Sequence, residues 1–406
     1  MRLAATAPLR REIERLFADR PFEIRFWDGS MVPSTDAGPR FTVRSPRAVA
    51  HALRAPGQLG LGRAYVSGEL EIDDIDRVVG LLDSWRPPKL GVADRARLIA
   101  AGALANGATL PPRPPRAELR PRGDRRTRLR DERAVRHHYD VSNDFFALFL
   151  DRSMTYSCAF FSRADGSLEA AQEAKLELSC TKLGLEPGQR LLDVGCGWGS
   201  LAMHAAEHHG AEVLGITLSE AQAELARHRV AGRGLEDRVD IRVMDYRDLA
   251  GERFDAIASI GMVEHVGADR IDHYAARLGG LLKPGGLLLN HGIARLRHTD
   301  PPAGAFSERY VFPDAEPLQL SRVLLAIERA GLRTQHVEEF GADYVETLRH
   351  WAQRLDENLD EAVRLAGEER VRVWRLYLRA ARHGFETGFT SIYQVVARLG
   401  SGNSAG

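Results

Sequence analysis

Three glycines at alternate positions, in the stretch LLDVGCGWGSLA at residues 191–202, are the residues best suited to bind a ligand. An apolar run precedes Gly195, Gly197 and Gly199, and a helix-like segment follows them. A strand, a glycine turn and a helix present bare backbone N–H groups at the carboxyl edge of a parallel sheet, where nucleotides bind. The spacing is GxGxG, not the GxGxxG of dinucleotide sites, and Asp193 stands two residues earlier. A carboxylate there suits an ammonium group better than a phosphate, which favours S-adenosylmethionine over a purely structural turn.

Further candidate ligand contacts stand where later strands end. Asp245, followed by Tyr246, ends the third strand-like run. Asp245 is expected near the adenine, as an acceptor for its exocyclic amine with the tyrosine stacking beside it; a helix N-cap is the alternative role. Many methyltransferases hold the ribose hydroxyls with an acid after the second strand. This chain has Thr217 there, and the following Ser219 and Gln222 also fit a helix capping box.

The surrounding pattern predicts the sheet that positions these residues. Apolar, β-rich runs occur at 190–195, 212–217, 239–245, 254–260 and 286–292, with helical stretches such as 219–230 between them. This alternation predicts an α/β fold with a doubly wound, mostly parallel sheet and buried strands. The last segment, 363–398, is predicted to be helical with its aromatic side chains in the core.

Composition limits the classes of protein that the chain can belong to. The 406 residues suffice for a large domain and a smaller one, and the net charge of zero argues against a nucleic-acid partner. Three cysteines without CxxC spacing predict neither a disulfide framework nor a structural zinc site, and fit a reducing cytosol. The apolar patch at the N-terminus is too short for a signal peptide. No run approaches the roughly 18 consecutive apolar residues of a membrane span.

The predicted domains are an accessory domain at 1–110, a linker at 111–130 and a catalytic domain at 131–400. The linker is rich in proline and arginine, and between positions 113 and 136 there are ten Arg against four acidic residues. This segment fits either a solvated linker or a patch for anionic lipid headgroups, where each basic residue contributes about 1 kcal/mol.

Eight ordered motifs resemble the cyclopropane-fatty-acyl-phospholipid synthase family, to which the mycolic acid cyclopropane synthases are related. The motifs are HHYDVSNDFF (137–146), MTYSCAFF (154–161), LLDVGCGWGSLA, GITLSEAQ, DYRDL, GMVEHVG (261–267), YVFP (310–313) and FGADYVETL (340–348). A weaker resemblance over 45–75 implies the N-terminal lipid-binding domain of that family. The resemblance implies a Rossmann-like class I methyltransferase with a smaller N-terminal α+β domain. Its implied activity is methyl transfer from S-adenosylmethionine to a cis double bond of a phospholipid acyl chain, followed by ring closure with bound bicarbonate as the base.

The resemblance also implies the roles of individual residues. The implied cofactor contacts are Tyr156, Ser157, Gly195, Gly197, Thr217, Gln222, Gly261 and, on the adenine side, Tyr246. The implied bicarbonate site comprises Cys158, Glu264, His291, the backbone of Ile293, and Tyr344. Tyr246 stands where the mycolic relatives have tryptophan, and the segment 312–321 departs from the pattern of the family.

Each implied catalytic residue also has an ordinary interpretation. Cys158 could be a buried thiol, and His291 and Tyr344 could be core side chains. Glu264 and His265 do not form a metal pair, because adjacent helical residues point apart, and no metal site is predicted. Chemically, an alkene is a poor nucleophile, so catalysis must rest on positioning and on exclusion of water from the cation that forms.

Several functions and partners remain open at this point. The same methyl transfer could end in a methylene branch, which a separate flavin-dependent reductase would convert to a methyl branch. A methyltransferase for small-molecule N or O nucleophiles and a non-catalytic lipid carrier are the other candidates. The expected partners are unsaturated phospholipid and the anionic inner face of the membrane, with a cytoplasmic, peripheral location; a homodimer is compatible with the family.

Overall fold

A computed structural model describes residues 6–107, 112–119, 142–163, 166–297, 305–313 and 315–401. The described chain divides into two compact units. The first contains the described residues up to 119, together with 305–311 and 367–383, and the second contains the others. The first unit therefore includes two segments from the stretch 131–400 that the sequence assigns to the catalytic domain.

The elements are given in chain order. The helices are α1 (Ala7–Leu16), α2 (Pro46–Arg54), α3 (Gln58–Val66), α4 (Ile75–Ser84), α5 (Val92–Asn106), α6 (Asn143–Ala147), α7 (Leu168–Leu183), α8 (Ser200–His209), α9 (Glu220–Ala231), α10 (Val263–Val266), α11 (Ile271–Leu281), α12 (Ala305–Tyr310), α13 (Leu320–Arg329), α14 (Gly341–Glu357), α15 (Leu359–Ala366) and α16 (Glu368–Glu386), with a 3₁₀ turn at Phe161–Arg163. The strands are β1 (Glu23–Arg25), β2 (Met31–Val32), β3 (Arg40–Val43), β4 (Leu70–Ile72), β5 (Arg190–Val194), β6 (Glu212–Thr217), β7 (Val239–Val243), β8 (Phe254–Ile260), β9 (Leu282–Arg295), β10 (Leu332–Glu339) and β11 (Thr390–Leu399).

Within the first unit, the strands order as β2-β1-β3-β4 and α1, α2, α3 and α5 pack beside them. The side chain of Ser45 caps α2 by accepting from the Arg47 N–H. Gly60 and Gly62 lie inside α3. A Cβ on Gly62 would lie 2.4 Å from the ring of Phe306, so the glycine permits close packing of α12 on α3.

The described part of the predicted linker, 112–119, is packed into the first unit. Glu118 is buried and accepts two hydrogen bonds of 2.6 Å from Arg63 and one of 3.1 Å from Tyr310. The Leu119 N–H donates to the Arg309 carbonyl at 2.8 Å. A buried, paired carboxylate anchors this segment, so it is not a solvated spacer. The arginine-rich remainder, 120–141, lies outside the described residues.

Within the second unit, seven described strands form one sheet in the order β10-β11-β9-β8-β5-β6-β7. The pairs from β7 through β9 are parallel, whereas β11 pairs antiparallel with both β9 and β10. The mixed α/β fold with a mostly parallel sheet confirms the predicted fold class, and all five predicted strands are present. The prediction of an all-helical 363–398 is wrong, because α16 ends at Glu386 and β11 follows.

Hydrophobic side chains cover both faces of this sheet. Residues of α7, α8 and α9 pack on one face, and residues of α11 and α13 pack on the other. Parallel strands buried on both faces are mostly apolar, which explains why the sequence shows β5, β6 and β8 as apolar-rich runs. In the part of the chain that the structure describes, no helix is both long enough and apolar enough to cross a bilayer.

Candidate active site

The glycine turn connects β5 to α8 and opens into a pocket. Gly195, Gly197 and Gly199 have φ values of +80°, +54° and +81°, which side chains rarely adopt. A Cβ on Gly195 would lie 2.7 Å from the sulfur of Met262, which lines the pocket. Gly199 instead immediately precedes α8. A Cβ at this position would lie 3.3 Å from the Cβ of Ala226. Gly199 does not line the pocket, so its observed role is to let α8 approach α9.

The pocket is a cavity of about 180 Å³ at the carboxyl ends of β5, β6 and β8. All the predicted cofactor residues except Gly199 line it: Tyr156, Ser157, Asp193, Gly195, Gly197, Thr217, Gln222, Asp245, Tyr246 and Gly261. The residues come from the turns after β5, β6, β7 and β8, as expected at a switch point of a doubly wound sheet, and from the segment at 156–157 that precedes α7.

Asp193 is the buried acid of this pocket. Its side chain ends β5, is 3% exposed, and its Oδ2 has no hydrogen-bond partner among the described residues. Burial raises the pKa of its carboxyl to about 7, and the nearby Lys175 ammonium opposes the shift. An unpartnered buried acceptor on the pocket wall is where a cationic ligand group would restore a hydrogen bond. The residues therefore fit the ammonium end of S-adenosylmethionine.

The turn after β6 is fixed by a short hydrogen-bond chain. The Thr217 hydroxyl donates to Gln222 Oε1 at 2.8 Å, and Thr217 Oγ1 accepts from the Ser219 N–H at 3.2 Å. Ser219 Oγ accepts from the Gln222 N–H at 3.3 Å and caps α9. Only the serine half of the suggested capping box forms, because the glutamine side chain bonds to Thr217 and stays on the pocket wall.

Asp245 lies in the pocket wall with a partner from its own turn. Arg247 pairs with both of its carboxylate oxygens, and the Arg247 N–H donates to Oδ1 at 2.9 Å. The Tyr246 ring meets Tyr274 edge-on at a centroid distance of 5.6 Å. The observed structure is an aspartate-stabilised turn, so Asp245 is paired with arginine and does not cap a helix.

The predicted catalytic residues do not line the pocket but lie directly behind it. Cys158 follows the pocket residue Ser157, and the His291 carbonyl accepts from the Gly261 N–H at 2.9 Å. Cys158 and His291 have no exposed surface, and Glu264 is 7% exposed. The Ile293 N–H donates to Glu264 Oε1 at 2.7 Å, which joins α10 to β9.

Several polar atoms of this buried cluster have no partner among the described residues. They are Nδ1 and Nε2 of His291 and Oε2 of Glu264. The rings of Phe160 and Phe340 stack at 3.8 Å, and Phe160 lies 6.0 Å from the His291 ring. Unsatisfied buried polar atoms are rare and costly, so this combination fits a small polar ligand.

Burial leaves the cluster nearly free of charge. It raises the pKa of the Cys158 thiol well above its ordinary value and lowers that of His291 well below, so both are neutral near pH 7. Burial also raises the pKa of Glu264 to about 7. Tyr344 is 8% exposed and packs edge-on against Trp351 at 6.0 Å. Neutral donors in an apolar surrounding could hold a small oxyanion with little competition from water.

Two residues of α7 that the sequence did not single out position the Tyr156–Cys158 segment. The Lys175 ammonium, 1% exposed, donates to the Ser157 hydroxyl at 3.0 Å and lines the pocket. Gln172 Nε2 donates to the carbonyls of Thr155 and Ser157 at 3.2 and 2.9 Å. Burial lowers the pKa of Lys175 to about 8. The sequence signal that could have found them is their helical spacing. Gln172 and Lys175 fall on the apolar face of α7 that Leu168, Ala171 and Leu176 define, so they are polar residues at buried positions.

Comparisons with known proteins agree with this geometry. The family described as mycolic acid cyclopropane synthetase matches residues 126–395. The chain is 40% identical to a protein of Mycobacterium tuberculosis called a probable fatty acid methyltransferase, over 95% of this chain and 93% of that protein. It is 35% identical to the cyclopropane-fatty-acyl-phospholipid synthase of Escherichia coli K12, over 86% of this chain and 85% of the synthase.

A solved structure extends the comparison to the fold. The mycolic acid cyclopropane synthase CmaA1, complexed with SAH and CTAB, has a TM-score of 0.63 and 33% identity, covering 66% of this chain and 98% of that one. This chain is therefore an S-adenosylmethionine-dependent methyltransferase that acts on lipid acyl chains, and it belongs to the cyclopropane synthase family.

Proposed function

We propose that this enzyme adds a one-carbon unit from S-adenosylmethionine to the cis double bond of an unsaturated phospholipid acyl chain and closes a cyclopropane ring. The observation that carries the proposal is the buried group of Cys158, Glu264 and His291 behind the cofactor pocket, in which Cys158 and His291 are neutral. A methyltransferase for nitrogen or oxygen nucleophiles has no need of a dry site for a second proton transfer.

The proposed reaction is a methyl transfer followed by loss of a proton and ring closure. When bound, S-adenosylmethionine supplies an electrophilic methyl group on a sulfonium sulfur. The alkene π pair forms a bond to the methyl carbon, the carbon–sulfur bond breaks, and its electron pair stays on sulfur. The acyl chain then carries a cation. The new methyl group then loses a proton to a base at the buried cluster. The electron pair of the broken C–H bond forms a bond to the cationic carbon, which closes the ring.

The residues of the cluster support a bound bicarbonate as that base. The His291 ring can donate a hydrogen bond and Glu264 Oε2 can accept one, since these atoms have no partner among the described residues. The Cys158 thiol donates to the Ala159 and Phe340 carbonyls at 3.3 and 3.6 Å, and would have to turn from them to reach a bound ion. Tyr344 is the remaining candidate donor that the family resemblance names. A bicarbonate ion held there would supply a weak base beside the neutral Cys158 and His291 side chains. Its O–H would meet the glutamate, which removes the repulsion expected between two anions.

The side chains around the cluster support the exclusion of water. The rings of Phe160 and Phe340 pack beside the His291 ring. The Cys158 thiol lies 3.6 Å from the Phe340 carbonyl oxygen. Water in this space would capture the acyl cation as an alcohol. Apolar walls thus protect the intermediate until the ring closes.

We further propose that the first unit docks on anionic membrane and that the enzyme works at the cytoplasmic face of the bilayer. Helix α5 exposes Val92, Ile99 and Leu104, at 88%, 55% and 67%, and Arg95 and Arg97 are exposed on the same helix. Large apolar side chains in water next to arginines suit the boundary between headgroups and acyl chains. Salt should therefore weaken binding to anionic vesicles.

The test is incubation of the full chain with methyl-labelled S-adenosylmethionine and vesicles of dioleoyl phosphatidylglycerol, followed by mass spectrometry of the acyl chains. A gain of one CH₂ with no remaining alkene supports ring formation. A gain of one CH₂ with an exocyclic alkene replaces our product with the methylene branch, an outcome compatible with the relative called a fatty acid methyltransferase. Vesicles of saturated phosphatidylglycerol are the matched control, and equal labelling of both lipids contradicts attack on a double bond.

A further inference from the structure

We propose that the second unit contains a structural zinc site formed by Cys180, His204, His209 and Glu177. The first three residues offer ligand atoms that all lie within 4.8 Å of one another. The residues come from α7 and α8, on the side of the sheet where these helices pack together. The proposal is independent of the reaction product, and it concerns a site where the sequence predicted none.

Two imidazoles converge on one point at this site. His204 Nε2 lies 3.0 Å and His209 Nε2 lies 3.1 Å from the same oxygen, Oε2 of Glu177. Zinc binds nitrogen at about 2.0 Å and sulfur at about 2.3 Å, so tetrahedral ligand atoms stand roughly 3.3–3.8 Å apart. The histidine–glutamate distances would have to open slightly, and the cysteine and histidine ligand atoms, now within 4.8 Å, would have to approach one another to surround an ion.

The ligand types select a borderline-soft cation. A thiolate, two imidazoles and one carboxylate resemble the N and S donor sets of zinc proteins more than the all-oxygen sets of calcium or magnesium. The ring of His208 lies 4.5 Å from that of His204, but its nitrogen is not among the clustered ligand atoms. The last turn of α8 adds the partial negative charge of its carbonyl groups.

The Cys180 thiol must lose its proton to the solvent when an ion binds, because the thiolate is the form that ligates metal.

An ion here would stabilise the helix that follows the glycine turn. Glu177 and Cys180 lie three residues apart on α7, and His204 and His209 lie on α8, which begins directly after Gly199. The Glu177 side chain is half exposed, which gives an ion a path from solvent. A bound ion would link α7 to α8 without contacting the reacting atoms.

The test uses the full chain, stripped with a chelator and then titrated with Zn²⁺ or Co²⁺. We expect one zinc per chain in competition with a chromophoric chelator, and a thiolate-to-cobalt charge-transfer band in the Co²⁺ form. Cys180→Ser should abolish the band. His209→Gln, at a partly exposed position that tolerates change, should weaken zinc binding more than tenfold and remove the increase in thermal midpoint that zinc produces.

The matched control is His228→Gln, on the exposed side of α9, which should bind zinc as the unaltered chain does. Cobalt binding without the charge-transfer band, or zinc affinity equal in the unaltered chain and in Cys180→Ser, would assign the metal to the surface pair His208 and His209 and overturn the proposal. Failure of the unaltered chain to retain zinc would do the same.

Discussion

Replacement of Asp193 by asparagine should weaken the binding of S-adenosylhomocysteine, which carries the same ammonium group as the methyl donor but no sulfonium charge. The carboxylate ends β5 in the pocket wall, is buried, and has an Oδ2 without a partner. A hydrogen bond to a charged group contributes about 1.5–3 kcal/mol, and each 1.36 kcal/mol is a factor of ten. The dissociation constant should therefore rise by roughly 10- to 150-fold.

The same carboxyl should make ligand affinity depend on pH. Burial raises its pKa to about 7 in the unliganded protein, and a bound ammonium would lower it. The favourable interaction is then complete above pH 7 and is lost as the pH falls through 7, approaching a tenfold loss per unit below that value. His265, with a pKa of about 4, stays neutral between about pH 6 and pH 8, whereas Lys175, with a pKa of about 8, begins to lose its charge above about pH 7, so the fall in affinity below pH 7 reports Asp193.

Isothermal titration calorimetry between about pH 6 and pH 8 measures both effects. Asp245→Asn is the matched control, because that carboxylate lines the same pocket but is already paired with Arg247. We expect a flat pH profile for Asp193→Asn and an unchanged slope for the control. Affinity within twofold of the unaltered chain in Asp193→Asn would refute the assignment of the ammonium to this acid.

Three further substitutions separate the parts of the site. Glu264→Gln should leave S-adenosylhomocysteine affinity unchanged but lower product formation by about 10²-fold, since the amide still accepts from the Ile293 N–H but loses the charge; full activity on oleoyl vesicles would contradict this. Lys175→Met should weaken S-adenosylhomocysteine binding by about 2- to 10-fold through loss of the bond to Ser157, while thermal melting stays level or rises because a buried charge is removed. Gly199→Ala should lower the free energy of unfolding in urea by about 1–2 kcal/mol because its φ is +81°, whereas Gly280→Ala, with open space and no positive φ in α11, should not.

The sheet could be predicted where burial alone decides the pattern. Strands β5, β6 and β8 are enclosed on both faces, so each is a mostly apolar run between turns. The antiparallel strands could not be predicted in the same way. The strand β10, LRTQHVEE, exposes most of its residues, and β11 follows α16 after only three residues. Their pairing along Leu332–Leu399 and Glu339–Tyr393 is a long-range contact that no local window contains.

The cofactor pocket could be predicted because each contact stands at a strand end with its own local signal. The buried cluster depended on the resemblance, since a lone cysteine or histidine in an apolar run is most often a core residue. Lys175 and Gln172 were missed because their partners are carbonyl and hydroxyl groups about 15 to 20 residues away in sequence, which only the packing of α7 reveals. The same packing brings Cys180 beside His204 and His209.

The cofactor pocket and the buried cluster have opposite electrostatic requirements. Adjacent residues of the chain, Ser157 and Cys158, belong to one and the other. The pocket must hold a cationic ligand, so it contains Asp193 and a fixed hydrogen-bond chain at Thr217. In the proposed reaction the cluster behind it would have to tolerate a transient cation without offering water or a charged nucleophile, and the neutral, solvent-excluded Cys158 and His291 meet that requirement. The boundary falls between Ser157, which Lys175 holds on the pocket side, and Cys158. Because Cys158 and His291 have no exposed surface, the proposed reaction requires an acyl chain to displace neighbouring side chains before it reaches them, which would admit lipid without admitting water.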